Sequence, residues 1–371
     1  MPHPLYKISF LASARRSFSE GGLFPRLRRA EPHSTIEGHR EAAPKDSARP
    51  LRLAVAAMAL LLLLGGCQML GSRRTLPGYV LPRPEIHFLE KKLSEISGIN
   101  YIPSENSLIA ITDDKRRVYR VHIDGHADDY FEPEIGPAAD YEDVVKVDSS
   151  VFVLVSNGAL IEARRTDSGV ATTTRFLFPP EGVDPAVTSG AAVDAAVEEL
   201  SKDVDFETLY YDSSARGLIL LTKNRKDESK QAIRTAWRFD LAARRFDTVP
   251  FYTISFKEVN LRLKDGRTEF KPSAAAIHPI ERRLYILSSA GMLLVVTDLR
   301  GTVEAVYRLN PSFYPQAEGI AFATNGDMYI SNEAKLGKAT LLRLPYKTGD
   351  KAPAGGARTK PSKPAARSAA P

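Results

Sequence analysis

Four glutamates stand at corresponding places in a phrase that recurs along the chain, and together they have the chemistry of a cation site. They are Glu95, Glu142, Glu207 and Glu318, and Ser273 takes the same place in a fifth copy of the phrase. Carboxylates that face one another repel strongly unless a cation lies between them. Hard oxygen ligands in a flexible ring suit Ca²⁺ better than Mg²⁺, which demands tight octahedral geometry. The sequence therefore predicts a calcium site formed by the four glutamates.

Further polar residues are predicted to line the rim of the same site and to contact a ligand there. Asp113, Asp114 and Glu333 end the strands that follow the glutamates, Lys223 is placed to orient an anionic group, and Ser273 completes the set. A structural interpretation of the four glutamates stays open, in which each carboxylate accepts hydrogen bonds from backbone N–H groups of a neighbouring repeat. The two interpretations are compatible.

No known catalytic signature accompanies these residues, so the catalytic residues stay unassigned. The sequence has no G-x-S-x-G nucleophile elbow, no H-E-x-x-H zinc motif and no G-x-x-x-x-G-K-[ST] phosphate loop. His122 and His126 flank a turn, so their spacing is not that of a helical metal pair. One cysteine in 371 residues excludes a disulfide framework and a cysteine-based zinc site.

The elements that must position the glutamates are short strands in a repeating unit. Alternating apolar residues predict strands, at 107–112, 118–123, 151–156, 217–222, 283–288, 292–297 and 327–332. Turn signals separate them, at 124–126, 156–158, 299–301 and 324–326. One helix is predicted over Ala186–Leu200.

The spacing of the recurring phrase predicts the architecture. Its five anchors, Glu95, Glu142, Glu207, Ser273 and Glu318, are 47, 65, 66 and 45 residues apart. A propeller blade takes about 40–50 residues in four strands. Residues 85–346 are therefore predicted to form an all-β, six-bladed β-propeller, with the sixth blade inside the two long spacings or closed by a strand at 85–90. Equivalent positions on the blades converge on the channel, which would bring the glutamates together.

The phrases themselves resemble a known family. EISGINYIPSENSLIAITDD, DYEDVV, DFETLYYD, SAAAIHPIERRLYILSSAG and QAEGIAFATNGDMYISNE are similar to the SdiA-regulated (YjiK-like) family over about residues 85–346. The resemblance implies a bacterial envelope protein with a six-bladed propeller related to NHL-type repeats. Two departures are Asn224, where the family has Glu, and Ser289-Ala290, where it has acidic residues.

A lipoprotein signal precedes the predicted propeller. Leu53–Leu64 are twelve apolar residues, whereas a membrane-spanning helix needs about twenty, and Arg49 and Arg52 supply a positive flank. Leu64-Gly65-Gly66-Cys67 resembles a lipobox, which implies cleavage before Cys67 and acylation of its thiol and amine by fatty acids such as palmitate. A signal-anchor helix that stays attached is the alternative. Gln68 favours sorting to the outer membrane, with the protein facing the periplasm.

Composition and charge complete the predicted organisation. We expect a polar leader at 1–50 that comes from a start codon assigned too early, a signal peptide at 51–66, a tether at 67–84 and a disordered tail at 347–371. Residues 1–66 and 347–371 each carry +5 and the whole chain +6, so residues 67–346 carry −4. A nucleic-acid-binding protein would concentrate positive charge on its folded body, so this function is excluded.

Together these features predict a lipid-anchored envelope propeller. The membrane is one partner, through Cys67, and an envelope protein or a small ligand is the other. The propeller would bind that partner without catalysis and would hold Ca²⁺ in its channel. The alternative is a Ca²⁺-dependent hydrolase that acts on a phosphoester or a lactone at the channel mouth, since bound metal supplies Lewis acidity and activated water.

Overall fold

Five antiparallel sheets are arranged as the blades of a propeller in the computed structural model. It describes residues 75–347 except 132–133, 138, 166–170, 179–202, 264–265, 267 and 336. In blades 1 to 4 the strands pair in chain order from the innermost outward. Blades 1 and 2 comprise β2 (Ile96–Ile102), β3 (Ser107–Thr112), β4 (Tyr119–Val121), β5 (Ala127–Asp129), β6 (Tyr141–Val147), β7 (Ser150–Val155), β8 (Leu160–Arg165) and β9 (Ala171–Phe176).

The other three blades follow the same plan, with additions in blade 3. They comprise β10 (Val204–Asp212), β11 (Gly217–Arg225), β12 (Ile233–Asp240), β13 (Arg245–Phe246), β14 (Tyr252–Ser255), β15 (Ala274–Ile277), β16 (Leu284–Ser288), β17 (Leu293–Thr297), β18 (Val303–Arg308), β19 (Ala317–Phe322), β20 (Met328–Asn332) and β21 (Thr340–Leu344). The N-terminal strand β1 (Glu85–Phe88) pairs with β21 and so completes blade 5. Short helices are a 3₁₀ turn at Lys91–Leu93, α1 (Glu228–Gln231) and α2 (Phe256–Arg262).

The predicted propeller is confirmed, but the described residues form five blades rather than six. The innermost strands β2, β6, β10, β15 and β19 contact one another in a closed cycle. The long spacing from Glu207 to Ser273 holds the extra strand β14 and both α-helices instead of another blade. The spacing from Glu142 to Glu207 includes residues 179–202, which lie outside the described residues, as does the predicted helix Ala186–Leu200. The predicted strand near 85–90 closes blade 5.

Strand alternation explains how the core forms between blades. In β7 every residue is buried because both faces of the sheet are covered. Val151 and Val153 pack toward blade 1, whereas Phe152 and Leu154 pack toward blade 3. A period of two therefore supplies two different interfaces from one strand. The seven predicted strands all lie within or beside observed strands.

Part of the segment predicted as a tether is packed on the propeller. Leu76 and Tyr79 are buried in the core cluster between blades 4 and 5. The Tyr79 hydroxyl donates to the Gly326 carbonyl at 2.5 Å and lies 2.7 Å from Nε2 of His278. Nδ1 of His278 accepts from the backbone N–H groups of residues 280 and 281, so Nε2 carries the proton and donates to Tyr79. The folded body thus includes residues 75–84.

Several predicted features fall outside the described residues: the leader, the signal peptide with Cys67, the first part of the tether and the tail beyond Lys347. Across the part of the chain that the structure describes, no helix has the length and apolarity needed to cross a bilayer.

Candidate functional site

Three of the predicted glutamates occupy β-bulges at the start of inner strands. Glu142 is the extra residue between the pairs Tyr141–Val155 and Asp143–Leu154. Glu207 is likewise skipped in the pairing of β10 with β11, and Glu318 in that of β19 with β20. A bulge bends its strand and re-aims a side chain. The three carboxyl groups are therefore turned toward the channel by the same local device.

The equivalent position in blade 1 is Ser97, not the predicted Glu95. Ile96 pairs with Thr112 and Ile99 with Ala110, so the irregular segment of β2 is Ser97–Gly98. Glu95 lies two residues earlier. We call the five equivalent residues the bulge ring: Ser97, Glu142, Glu207, Ser273 and Glu318.

A second ring lies two residues before the bulge ring in every blade, and we call it the outer ring. Its members are Glu95, Asp140, Asp205, Lys271 and Gln316. A third ring, the second-strand ring, lies near the C-terminal end of the strand that pairs with each inner strand: Asp113, Ser156, Lys223, Ser289 and Glu333. The three rings meet at one end of the channel, which we call the mouth. Their fifteen positions carry eight carboxyl groups and two lysines.

Lys223 is the principal cation among the carboxyl groups of the mouth. Its ammonium donates to Oε1 of Glu207 and lies 3.7 Å from Oδ2 of Asp205. Burial raises the pKa of Glu142 and of Glu318, and the charge of Lys223 partly opposes that rise. The sequence predicts that Lys223 orients an anionic ligand. In the structure its ammonium instead contacts carboxylates of its own chain.

The remaining carboxyl groups of the bulge ring hold protons near neutral pH. Burial raises the pKa of Glu142 to about 9, and the charges of Asp140, Asp205 and Glu318 contribute. Burial also raises the pKa of Glu318 to about 7, against the hydrogen bond from Ser289 that lowers it. Burial therefore favours the neutral form of these two carboxyl groups up to about pH 7.

A second group of carboxyls joins Glu95 to the second-strand ring. Burial raises the pKa of Glu333 to about 7, helped by a hydrogen bond with Glu95. Such a bond needs a shared proton between the two carboxyl groups. Gln316 donates its amide to Oε2 of Glu333. Burial and the charge of Glu95 raise the pKa of Asp113 as well. The structure thus brings Glu95, Asp113 and Glu333 together, one layer out from the bulge ring.

Two other predicted rim residues, Ser273 and Asp114, make contacts of a different kind. Ser273 is only 2% exposed, and its hydroxyl donates to the Ala317 carbonyl at 2.9 Å. It ties blade 4 to blade 5 rather than facing a ligand. Asp114 is half exposed and lies 3.9 Å from Lys115 at the surface.

Asp143 was not identified from the sequence. Its carboxyl group accepts the blade-to-blade hydrogen bond that the structural interpretation assigned to the glutamates. Asp143 is 3% exposed. One oxygen accepts from its neighbour's N–H, that of Val144, at 2.8 Å, and the other accepts from the N–H of Leu209 in the next blade at 2.7 Å. A Cβ on Gly98 would come within 2.0 Å of its carboxyl group, so blade 1 needs glycine there. Blade-to-blade hydrogen bonds at this level therefore use Asp143 and Ser273.

A polar cleft of about 780 Å³ adjoins the rings between blades 2 and 3. Its lining residues are Asp140, Ser156, Asp203, Val204, Asp205, Asn224, Lys226 and Ser229. Three carboxyl groups against one lysine make it an extension of the acidic mouth. A ligand held at Glu142 and Glu207 would have room to extend into this cleft.

The donor set suits a cation, but the described residues do not already form a metal cage. Within them, no group of three or more His, Cys, Asp or Glu side chains has an arrangement that could hold a metal ion. The ammonium of Lys223 contacts the carboxylate of Glu207, which a metal ion at this site would need as a ligand. Calcium binding to the four predicted glutamates stays a prediction, and it would require Lys223 to move.

The raised pKa values predict how stability depends on pH. Glu142, Glu318 and Glu333 bind protons more tightly in the folded protein than at the ordinary value of 4.5. Their stabilising contribution is complete below about pH 4.5 and is lost as the pH rises through about 7 and then about 9. Urea unfolding at pH 6, 7.5 and 9 should show a falling free energy of unfolding. Glu142→Gln should flatten the fall above pH 7.5, and an unchanged slope would contradict this assignment.

Comparison with known proteins yields structural likeness without a family. No family model matches the chain, and no curated protein matches it. A luciferin-regenerating enzyme is similar over 72% of this chain and 97% of its own, at 9% identity and a TM-score of 0.42. The PQQ-bound aldose sugar dehydrogenase from Streptomyces coelicolor covers 74% of this chain and 100% of its own, at 13% identity and a TM-score of 0.42. A glucose dehydrogenase covers 70% and 99%, at 11% identity and a TM-score of 0.43. At these identities the likeness concerns the fold alone.

Proposed function

We propose that this protein is a ligand-binding β-propeller of the cell envelope, of the SdiA-regulated type, whose acidic mouth takes up a positively charged ligand. The observation that supports this most is the charge of the three rings, where eight carboxyl groups surround two lysines. Glu142 and Glu318 keep protons near neutral pH because burial raises the pKa of both carboxyl groups, and for Glu142 the charges of Asp140, Asp205 and Glu318 add to the rise. A cation that enters the mouth would replace those protons.

Calcium is the first ligand to test, because carboxylate oxygens are its preferred donors. Thermal melting of the purified chain should be followed with CaCl₂, MgCl₂, spermidine and EDTA in turn. Stabilisation by a cation and its reversal by EDTA or dilution would support the proposal. The double variant Glu142→Gln with Glu318→Gln should lose the response. Glu304→Gln is the matched control, since Glu304 pairs with Arg283 at 2.7 Å on the outer strand of blade 4. No stabilisation by any of these cations would contradict the proposal.

A Ca²⁺-dependent hydrolase is the second candidate, and the pKa of Glu318 favours it. A carboxylate whose pKa lies near 7 is suited to act as a general base at neutral pH. Phosphoesters and lactones remain the substrate classes to screen. If turnover is found, Glu207→Gln with Glu318→Gln should abolish both turnover and calcium binding. Turnover that survives in this variant would eliminate the hydrolase.

The envelope location is proposed from the signal that precedes the propeller. Cys67 would carry the lipid, and the outer membrane would hold the protein on its periplasmic side. We predict that cells fed labelled palmitate incorporate it into the wild-type chain and that Cys67→Ser abolishes incorporation and releases the protein from membranes. Label that persists in Cys67→Ser would show that the lipid is attached elsewhere or that the chain is held by another route.

A further inference from the structure

The chain enters and leaves the propeller on the side opposite the acidic mouth. Inner strands begin at the mouth with the bulge ring and end at tight turns, and we call the side that carries these turns the base. Tyr79 contacts the turn between β19 and β20 through Gly326, and the turn between β15 and β16 through His278. The backbone N–H of Lys347 donates to the Gly78 carbonyl at 2.9 Å. Both ends of the described chain are therefore fastened together at the base.

The sector of the base around these ends combines basic and apolar side chains at the surface. Arg83, Arg282 and Lys347 are exposed. Val80 is 40% exposed and Ile280 is 50% exposed, and both adjoin the Tyr79–His278 contact. We call these five residues the base patch. This sector of the base is therefore opposite in charge to the acidic mouth.

The acidic residues in this sector already have partners. Arg343 binds Asp327 at 2.7 Å and Glu85 at 2.9 Å. Glu281 accepts hydrogen bonds from the hydroxyls of Tyr285 and Tyr346. The exposed charge that remains around the base patch is therefore positive. Basic residues next to exposed apolar side chains match the headgroup region of an anionic bilayer.

We propose that the base patch lies against the anionic lipid surface and that the acidic mouth faces away from it. This inference rests on the proposed lipid attachment at Cys67. Cys67 is eight residues before Thr75, a length that spans at most about 28 Å when fully extended. The residues after Lys347 add Lys351, Arg358, Lys360, Lys363 and Arg367 against one acid, Asp350. The described chain begins at Thr75 and ends at Lys347 on this same side of the propeller, while an anionic surface would repel the mouth.

The orientation can be measured on the acylated chain in vesicles. Single cysteines are introduced at the base (Ile280→Cys) or beside the mouth (Lys230→Cys, on α1) and labelled with a fluorophore. The vesicles contain equal parts of phosphatidylcholine and phosphatidylglycerol, with a nitroxide quencher on a lipid headgroup. We expect the label at 280 to lose most of its fluorescence and the label at 230 to keep most of it. Equal quenching, or stronger quenching at 230, would overturn the proposed orientation while leaving the lipid anchor intact.

Flotation of the same vesicles separates this inference from the proposal on which it rests. A chain that fails to float with the vesicles would refute lipid attachment, and with it the orientation. A charge reversal then tests the base patch itself: Arg83→Glu with Arg282→Glu should reduce quenching at 280 without loss of flotation. Lys226→Glu with Lys230→Glu, near the mouth, is the matched control and should leave quenching at 280 unchanged. Quenching that is equally insensitive to both reversals would overturn the role given to the base patch.

Discussion

Replacing Lys223 by methionine is expected to destabilise the protein above pH 7 and at the same time to strengthen its binding of divalent cations. The ammonium of Lys223 contacts Glu207 and lies 3.7 Å from Asp205. Removing one partner of a buried ion pair costs about 3–5 kcal/mol, but Lys223 is about one-third exposed, so we expect roughly 2 kcal/mol after allowance for screening. The affinity for Ca²⁺ should rise at least roughly tenfold, because a competing positive charge has left the mouth.

Lys226→Met is the matched control for this prediction. Lys226 is 80% exposed and lies 3.3 Å from Asp203, so its replacement should leave stability nearly unchanged and should alter cation affinity much less than Lys223→Met does. Urea unfolding and calcium titration of both variants check the two effects. A Lys223→Met protein that binds calcium no better than the wild type would mean that the ammonium does not hold the cation position.

Replacing Asp143 by alanine is expected to cause a larger loss of stability than any single replacement within the three rings. The substitution leaves the backbone N–H groups of Val144 and Leu209 without their hydrogen-bond acceptor in a buried interface, and it creates a cavity. An unsatisfied buried donor costs about 1–3 kcal/mol, so the two together should cost about 4 kcal/mol. Burial raises the pKa of Asp143 well above its ordinary range, which makes the neutral Asp143→Asn the gentler variant. We expect asparagine to recover at least half of the loss.

The control for Asp143 is Asp203→Ala, because Asp203 is more than half exposed and pairs with an exposed lysine. Its free energy of unfolding should stay within about 0.5 kcal/mol of the wild type. Equal effects of Asp143→Ala and Asp203→Ala in chemical unfolding would show that the blade-to-blade bond from Asp143 to Leu209 contributes little.

Most of the fold could be predicted from alternation and repeats, but the register of one blade could not. The recurring phrase placed Glu142, Glu207 and Glu318 in one ring, and the shared bulge bears this out. Glu95 lies two residues before the ring position of blade 1. The prediction was wrong there because it matched the glutamate in the first copy of the phrase to the glutamates in the other copies. The better signal was glycine after the ring position: Ser97-Gly98 corresponds to Glu318-Gly319. Both glycines allow neighbouring blades to approach closely.

The outer ring and the blade number were less accessible from sequence. Asp140 and Asp205 precede the ring glutamates by two residues in a D-x-E pattern, which a period-two strand places on the same side. The number of blades depends on how many inner strands complete the cycle around the channel. The spacing of the recurring phrase does not distinguish an inserted segment from an additional blade. The burial of Tyr79 was also hidden, because proline and glycine around it suggested a free linker.

The most direct test of the acidic mouth as a cation site is calorimetric titration of the purified chain with CaCl₂ at pH 7.5 in two buffers of different ionisation enthalpy. Because the pKa of Glu142 is about 9, its carboxyl group holds a proton at pH 7.5, so binding should release protons and the observed heat should differ between the buffers. We predict binding with proton release in the wild type and its loss in Glu142→Gln with Glu318→Gln. Absence of binding heat, or binding that the double variant retains unchanged, would contradict the account.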